Sequence, residues 1–261
     1  MRSKSRNMDG HSTDFANSKM LKGSIGKEVV IVGFPKCGTT ALTRSFKADE
    51  DYDLITLPNG DVEVKWPYIC QVPRQVSSQK IRAHKFTAYI FNKKALEFLA
   101  QDNPSSIIVL CIRDPKKSLV SWHNMHVDIA RTGRRKDHFA YLERDFYANC
   151  TIDKYFQHYA RSRLRYDRYF ERLLKNVPPE RVVVISQERL ALQLDDITKY
   201  LKAVACGQDA VLAPAPTQGV GHTSFAERAG VVLNDKISER LEAVQSRLYA
   251  AIRNSGVHSC I

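Results

Sequence analysis

The chain has 261 residues, and its 40 Lys and Arg outweigh 28 Asp and Glu to give a formal net charge of +12. Apolar residues make up 43 %, as in ordinary globular proteins, and no apolar run is long enough to cross a bilayer, which argues against a membrane-spanning or low-complexity chain. The positive excess suits an anionic ligand, whether a nucleotide, a sulfated glycan or nucleic acid.

Residues 1–27 are polar and lack the apolar stretch of a signal peptide, so a flexible tail is expected ahead of one domain over 28–261. Val29 to Val32 are four consecutive β-branched apolar residues, the mark of a buried strand. Gly33 to Gly38 form a tight loop, and the residues from Thr39 onward read as a helix start. Strand, glycine loop and helix N-terminus make an anion site, because backbone N–H groups converge on a phosphate there. A G-x-x-x-x-G-K-[ST] loop for Mg-ATP needs lysine where Thr39 stands. The lysine lies inside the loop instead, at Lys36, so the loop binds phosphate but is not built for Mg-ATP. Cys37 sits where a helix N-terminus lowers a thiol pKa, or serves as a small filler.

Short extended pieces follow at 53–56 and 61–65, around a Pro58-Asn59-Gly60 turn. Ile81 to Ala88 reads as a strand, and 92–100 as a helix with Asn92 as N-cap. Ser106 to Ile112 is a buried central strand, and Pro115 opens a helix to about Arg131. One long helix is expected over 152–174, a strand over 181–186, and a helix to Val204. Residues 207–232 read as loop. The last helix, 234–254, puts Ile237, Leu241, Val244, Leu248 and Ile252 on one face. Alternating apolar strands and helices predict an α/β fold, a parallel sheet covered on both faces. Arg131 to Lys136 is one basic cluster. A second, Arg161, Arg163, Arg165, Arg168 and Arg172, reads as a solvated helix face. Cys37, Cys70, Cys111, Cys150, Cys206 and Cys260 form no C-x-x-C pair and no metal spacing, the pattern of reduced thiols in a cytoplasmic setting.

The segment Pro35-Lys-Cys-Gly-Thr-Thr-Ala-Leu42 resembles the P-K-x-G-T-[TR]-x-L loop of sulfotransferases. Those enzymes use 3′-phosphoadenosine 5′-phosphosulfate (PAPS) as donor. The resemblance implies that Pro35, Lys36, Cys37, Gly38, Thr39, Thr40 and Ala41 cradle the phosphosulfate, with Lys36 on the bridging oxygen. Arg113-Asp-Pro, followed eight residues after the arginine by Ser121, resembles the family's R-[ND]-P-x-x-x-x-x-S pattern, whose Arg and Ser grip the 3′-phosphate. A planar guanidinium suits bidentate phosphate contact. A nucleotide kinase would want an acidic Mg²⁺ ligand at a strand end, for which Asp114 is the candidate beside this strand; no metal is expected.

Two softer segments, Val64-Lys-Trp-Pro-Tyr68 and His84-Lys-Phe-Thr-Ala-Tyr-Ile90, resemble K-E-P-H-F and K-S-P-x-Y of the glycan-type branch. Lys65 and Lys85 match the lysines, but Trp66 stands where that branch has its glutamate base. The cytosolic branch uses histidine in K-[TS]-H, so His84 beside Lys85 is the first choice of base. Glu63, His123 and His126 are alternatives, and Lys65 and Trp66 fall on the acceptor side. The loop Gln218 to Ser224 corresponds to a late glycine loop of the family, with His222 or Arg228 in place of its usual basic residues.

The resemblance therefore implies a P-loop nucleotide-hydrolase-like domain. It would move a sulfuryl group from PAPS to a hydroxyl or amine of a small molecule, leaving 3′-phosphoadenosine 5′-phosphate (PAP). Alternatives are a glycan sulfotransferase, an inactive nucleotide- or sulfated-glycan-binding module, and a P-loop nucleotide kinase. A monomer or homodimer is expected, with no nucleic-acid or membrane partner.

Overall fold

The computed structural model describes residues 27–64, 69, 80–102, 104–133, 144–212 and 232–261. The β-branched run after Glu28 becomes β1 (Glu28–Gly33), buried from Val29 onward. It lies inside a six-stranded sheet with β2 (Tyr52–Leu54), β3 (Ile81–Lys85), β4 (Ile107–Ile112), β5 (Val182–Ser186) and β6 (His258–Cys260). The order is β2-β3-β1-β4-β5-β6, and every pairing is parallel. Such a sheet needs cover on both faces, which explains why β4 and β5 are buried along their whole length. Each buried Val, Ile or Leu contributes roughly 1.5–3 kcal/mol.

The helices are α1 (Thr39–Ala48), α2 (Lys93–Asp102), α3 (Pro115–Thr132), α4 (Arg144–Asn149), α5 (Ile152–Tyr155), α6 (Arg161–Arg163), α7 (Tyr166–Asn176), α8 (Gln187–Leu192), α9 (Leu194–Ala205) and α10 (Asp235–Asn254). On one face α1 packs against α9, joined by Ser45 Oγ and Thr198 Oγ1 at 2.9 Å. On the other, α7 packs against α2 and α10, and α10 against α3. The predicted stripe of α10 is buried at all five positions, Ile237, Leu241, Val244, Leu248 and Ile252. Asn92 and Asn234 cap α2 and α10 through their side-chain oxygens, at 3.2 Å to Ala95 N and 3.0 Å to Lys236 N.

Three expectations differ from the structure. The strand predicted to run to Ala88 stops at Lys85, and Thr87–Phe91 is a 3₁₀ turn. The helix expected over 152–174 is interrupted. A π-helical segment, Phe156–Ala160, precedes α6, and Arg165 (φ −86°, ψ 59°) breaks the path before α7. The break turns α7 so that Tyr166, Phe170 and Leu173 bury and Tyr166 stacks on Phe34, ring centroids 3.6 Å apart. The short edge strand β6 had no sequence signal, since His258-Ser-Cys260 carries no apolar run. The tail and most of the 207–232 loop lie outside the described residues, as do Cys70 and the Arg131 to Lys136 cluster beyond Gly133.

Candidate active site

The strand register brings three carboxyl ends side by side. Lys85 on β3 sits opposite Ile31 on β1, and Gly33 on β1 sits opposite Cys111 on β4. The chain leaves β1 toward β3 on one side and returns to β4 on the other, and such reversals open a ligand crevice at the carboxyl edge. The Gly33–Gly38 loop, Arg113 and Lys85 all project from that edge.

The loop is shaped by its backbone. Gly33 has φ +143°, and a Cβ there would come within 2.7 Å of Cys111 O. Gly38 has φ +85° and caps α1, leaving the helix's first N–H groups to face the loop. Lys36 is left-handed at φ 68°, the sole described non-glycine residue with positive φ. A non-glycine residue held there is strained, and such strain concentrates at binding sites.

Packing fixes the strained turn. Ser118 Oγ donates to Pro35 O at 2.9 Å, and Tyr166 Oη donates to Ser118 Oγ at 2.9 Å. Arg113 Nη1 donates to Lys36 O at 3.2 Å. The Arg113 Nε is buried without a hydrogen-bond partner, so this guanidinium retains a donor inside the site. An orphaned donor beside a convergent loop fits an anion such as a phosphate ester. Lys36 reaches toward α3, with Nζ 3.8 Å from Met125 Sδ.

Cys37 is fully buried beneath the loop, and burial pushes its thiol up to about 12, against the opposing pull of the Tyr166 hydroxyl and Arg113. It fills space and is not a reactive thiolate. Thr39 is buried too, whereas Thr40 and Ala41 face outward. Asp114, the kinase reading's metal-ligand candidate, is the N-cap of α3: Oδ1 accepts from Lys116 N at 2.7 Å and Lys117 N at 3.4 Å. Ser121 is half-buried one turn beyond Ser118 on α3.

Beside the loop lies a second polar group. Glu63 pairs with Lys85 through an isolated parallel bridge, and Val64 N donates to Lys85 O at 2.8 Å. Lys85 Nζ contacts Glu63 Oε2 at 2.8 Å and donates to Thr40 Oγ1 at 3.3 Å. Glu63 Oε1 accepts from Thr87 N at 2.9 Å and Thr87 Oγ1 at 2.7 Å. The carboxylate is thus held by three donors, yet its side chain stays 29 % exposed.

The other base candidates lie elsewhere. Successive strand residues face opposite sides of a sheet, so His84 points away from Lys85. Its Nδ1 is 3.5 Å from Glu28 Oε1, at the first residue of β1, and its ring meets Tyr89 edge-on. His123 Nε2 bonds Cys150 O at 3.0 Å, and His126 Nδ1 bonds Tyr155 Oη at 3.1 Å, inside an aromatic cluster with Trp122, Tyr147 and Tyr159. Both histidines tie α3 to the following helices. Lys65 and Trp66, and the loop with His222 and Arg228, lie outside the described residues. Sequence reading missed Ser118, Tyr166 and Thr87. Only Ser118, three residues before Ser121 and so on the same helix face, carried a usable signal.

Among the described residues, no helix is long and apolar enough to cross a membrane. No curated protein sequence matches the chain. The fold is similar to that of a sulfotransferase from Alicyclobacillus acidocaldarius, with 15 % identity, 86 % of this chain and 95 % of that chain covered, and a TM-score of 0.56. A mouse sulfotransferase, SULT7A1, solved with PAP, aligns at 16 % identity over 88 % of this chain and 85 % of that chain, with a TM-score of 0.48. Residues 26–202 match the sulfotransferase domain family, well over half of the chain, and the chain belongs to that family.

Proposed function

We propose that this sulfotransferase uses PAPS as donor and a hydroxyl or amine of a small molecule or saccharide as acceptor, with Glu63 as general base. The observation that carries this reading is the Lys85 ammonium, which bridges Glu63 to Thr40 at the mouth of the phosphate loop. Donor loop and carboxylate are thereby fixed to one another.

The loop from Pro35 to Ala41 would hold the phosphosulfate, and Arg113 with Ser121 the 3′-phosphate. The unpartnered Arg113 Nε and the left-handed Lys36 support that assignment. When bound, PAPS supplies an activated sulfuryl group. Lys36 would neutralise charge developing on the leaving phosphate oxygen, a preorganised electrostatic role. Glu63 would take the acceptor hydroxyl's proton, its orientation held by Thr87 and Lys85. This replaces His84 as the base, because His84 faces the opposite side of β3. Free thiols at Cys37, Cys111, Cys150 and Cys206 support a reducing, cytoplasmic setting.

The test is transfer from ³⁵S-labelled PAPS to a panel of small alcohols, phenols, amines and saccharides. Glu63→Gln should lower turnover roughly 10²–10⁴-fold while thermal stabilisation by PAP persists. His84→Gln should leave turnover near the parent value. Loss of transfer in His84→Gln with retention in Glu63→Gln would return the base to His84. Stabilisation by Mg-ATP but not by PAP would remove the donor assignment.

A further inference from the structure

The arginine cluster expected to be a solvated helix face divides in two. Arg163 lies over the Tyr159 ring at 4.0 Å and Arg172 over the Tyr169 ring at 5.3 Å, as surface arginines commonly do. Arg161, Arg165 and Arg168 instead converge. The break at Arg165 brings α6 and the first turn of α7 to one side of a cleft, and α10 lays Arg240 and Arg247 along the other. Positions 240 and 247 are two helical turns apart and share a face. Phe156, Leu164, Leu241 and Val244 complete the lining.

The charge in this cleft is unbalanced. Its one acidic residue, Asp167, is already paired, with Oδ2 accepting from Arg247 Nε at 2.6 Å. Among the described residues, no carboxylate pairs with Arg161, Arg165, Arg168 or Arg240. Partial burial and the guanidinium groups of Arg161, Arg165, Arg168 and Arg247 hold the Arg240 pKa below its ordinary value. Flexible like charges on an open helix face splay apart; here the fold draws them together over an apolar floor, which costs free energy that a bound anion would recover.

We propose that Arg161, Arg165, Arg168, Arg240 and Arg247 form a second oxyanion site, separate from the phosphate loop, that takes one sulfate or phosphate group, free or as a monoester. Guanidinium forks match the oxygens of a tetrahedral dianion in pairs. The cleft holds about 80 Å³, enough for such a group but far below the roughly 300–1,000 Å³ of pockets that enclose whole ligands. The cleft therefore encloses the anionic group alone, and the remainder of an esterified ligand would lie outside it. The inference does not depend on the identity of the donor or on Glu63.

The test compares thermal unfolding of the full chain with that of the Arg168→Gln, Arg240→Gln double variant, in sodium sulfate and in sodium chloride at equal ionic strength. Without sulfate the variant should melt at or above the parent, because like-charge repulsion has been relieved. With sulfate the parent should gain about 3 °C more than the variant, saturably. Sulfate binding at the phosphate loop is common to both proteins and cancels in the comparison. A parallel arm uses N-acetylglucosamine 6-sulfate against unsulfated N-acetylglucosamine. A selective gain with the ester supports the site and assigns it to a carried sulfate; a gain with inorganic sulfate alone supports it and assigns it to the free ion. Equal gains in parent and variant, no gain in the parent, or a variant destabilised alike in both salts would overturn the proposal.

Discussion

The Gly33–Gly38 loop is gripped by the core, and the Glu63–Lys85 edge beside it is not. Beneath the loop, Cys37 is fully buried, Phe34 stacks on Tyr166, and Ser118 fixes the Pro35 carbonyl. At the edge, Glu63 stays half-exposed and is positioned by Thr87 and Lys85 through polar contacts. Changes under the loop should therefore register first in stability and only through it in activity. Changes at the edge should register in turnover with the fold intact.

Gly33→Ala should show the largest effect. The new Cβ would meet the Cys111 carbonyl oxygen at 2.7 Å, a backbone atom that cannot rotate away, at a φ of +143°. We expect a loss of about 3–5 kcal/mol in chemical unfolding. Gly38→Ala should be milder although its φ is +85°, because its Cβ would meet only the Gln187 and Leu190 side chains at 3.2 Å. Equal losses at the two glycines would mean that the loop is not braced by β4.

Thr87→Val tests the other region. It removes the hydroxyl bonded to Glu63 Oε1 at 2.7 Å while keeping the backbone donor at 2.9 Å. On the proposed assignment of Glu63 as base, Thr87 is a positioning residue, so kcat should fall about tenfold, KM for PAPS should hold, and stability should change by less than about 1 kcal/mol. Thr87→Ser, which restores the hydroxyl, should recover kcat. A parallel loss of stability and activity in Thr87→Val would erase the distinction between loop and edge.

The contrast also explains what could be read from the sequence. Val29 to Val32, Gly33, Gly38 and Lys36 specify a local strand–loop–helix unit, and such units follow from β-branching, glycine and helix-cap chemistry within a few residues. Arg113 was legible for the same reason, as the residue at the end of an apolar strand. The Glu63–Lys85–Thr40 group joins three separate stretches of chain, and parallel pairing of Glu63 with Lys85 has no local signature. His84 was attractive as a neighbour of Lys85 in sequence, yet strand alternation puts neighbours on opposite faces. The arginine cleft depends on the break at Arg165, which hydrophobic periodicity alone did not reveal because apolar spacing continues through it.

The loop's packing also predicts a pH slope. Burial holds the Cys37 thiol neutral in the folded protein up to about pH 12, whereas its ordinary pKa is near 9. Above about pH 9 the unfolded chain loses this proton and the folded chain does not. The unfolded state then binds fewer protons, so stability falls as pH rises from about 9 toward 12. Cys111 is buried in the same way and shares the direction of shift, so replacing Cys37 alone should flatten the slope and not abolish it. Urea unfolding of the parent and Cys37→Ala between about pH 8 and 10.5 measures this, since titrating groups remote from Cys37 contribute alike to both proteins. Cys37→Ala should lose stability near pH 8 from the smaller side chain, and the gap should narrow at higher pH. A constant gap would mean that the thiol already ionises in the folded protein as in the unfolded chain, and that the loop lies open to solvent instead of resting on the core.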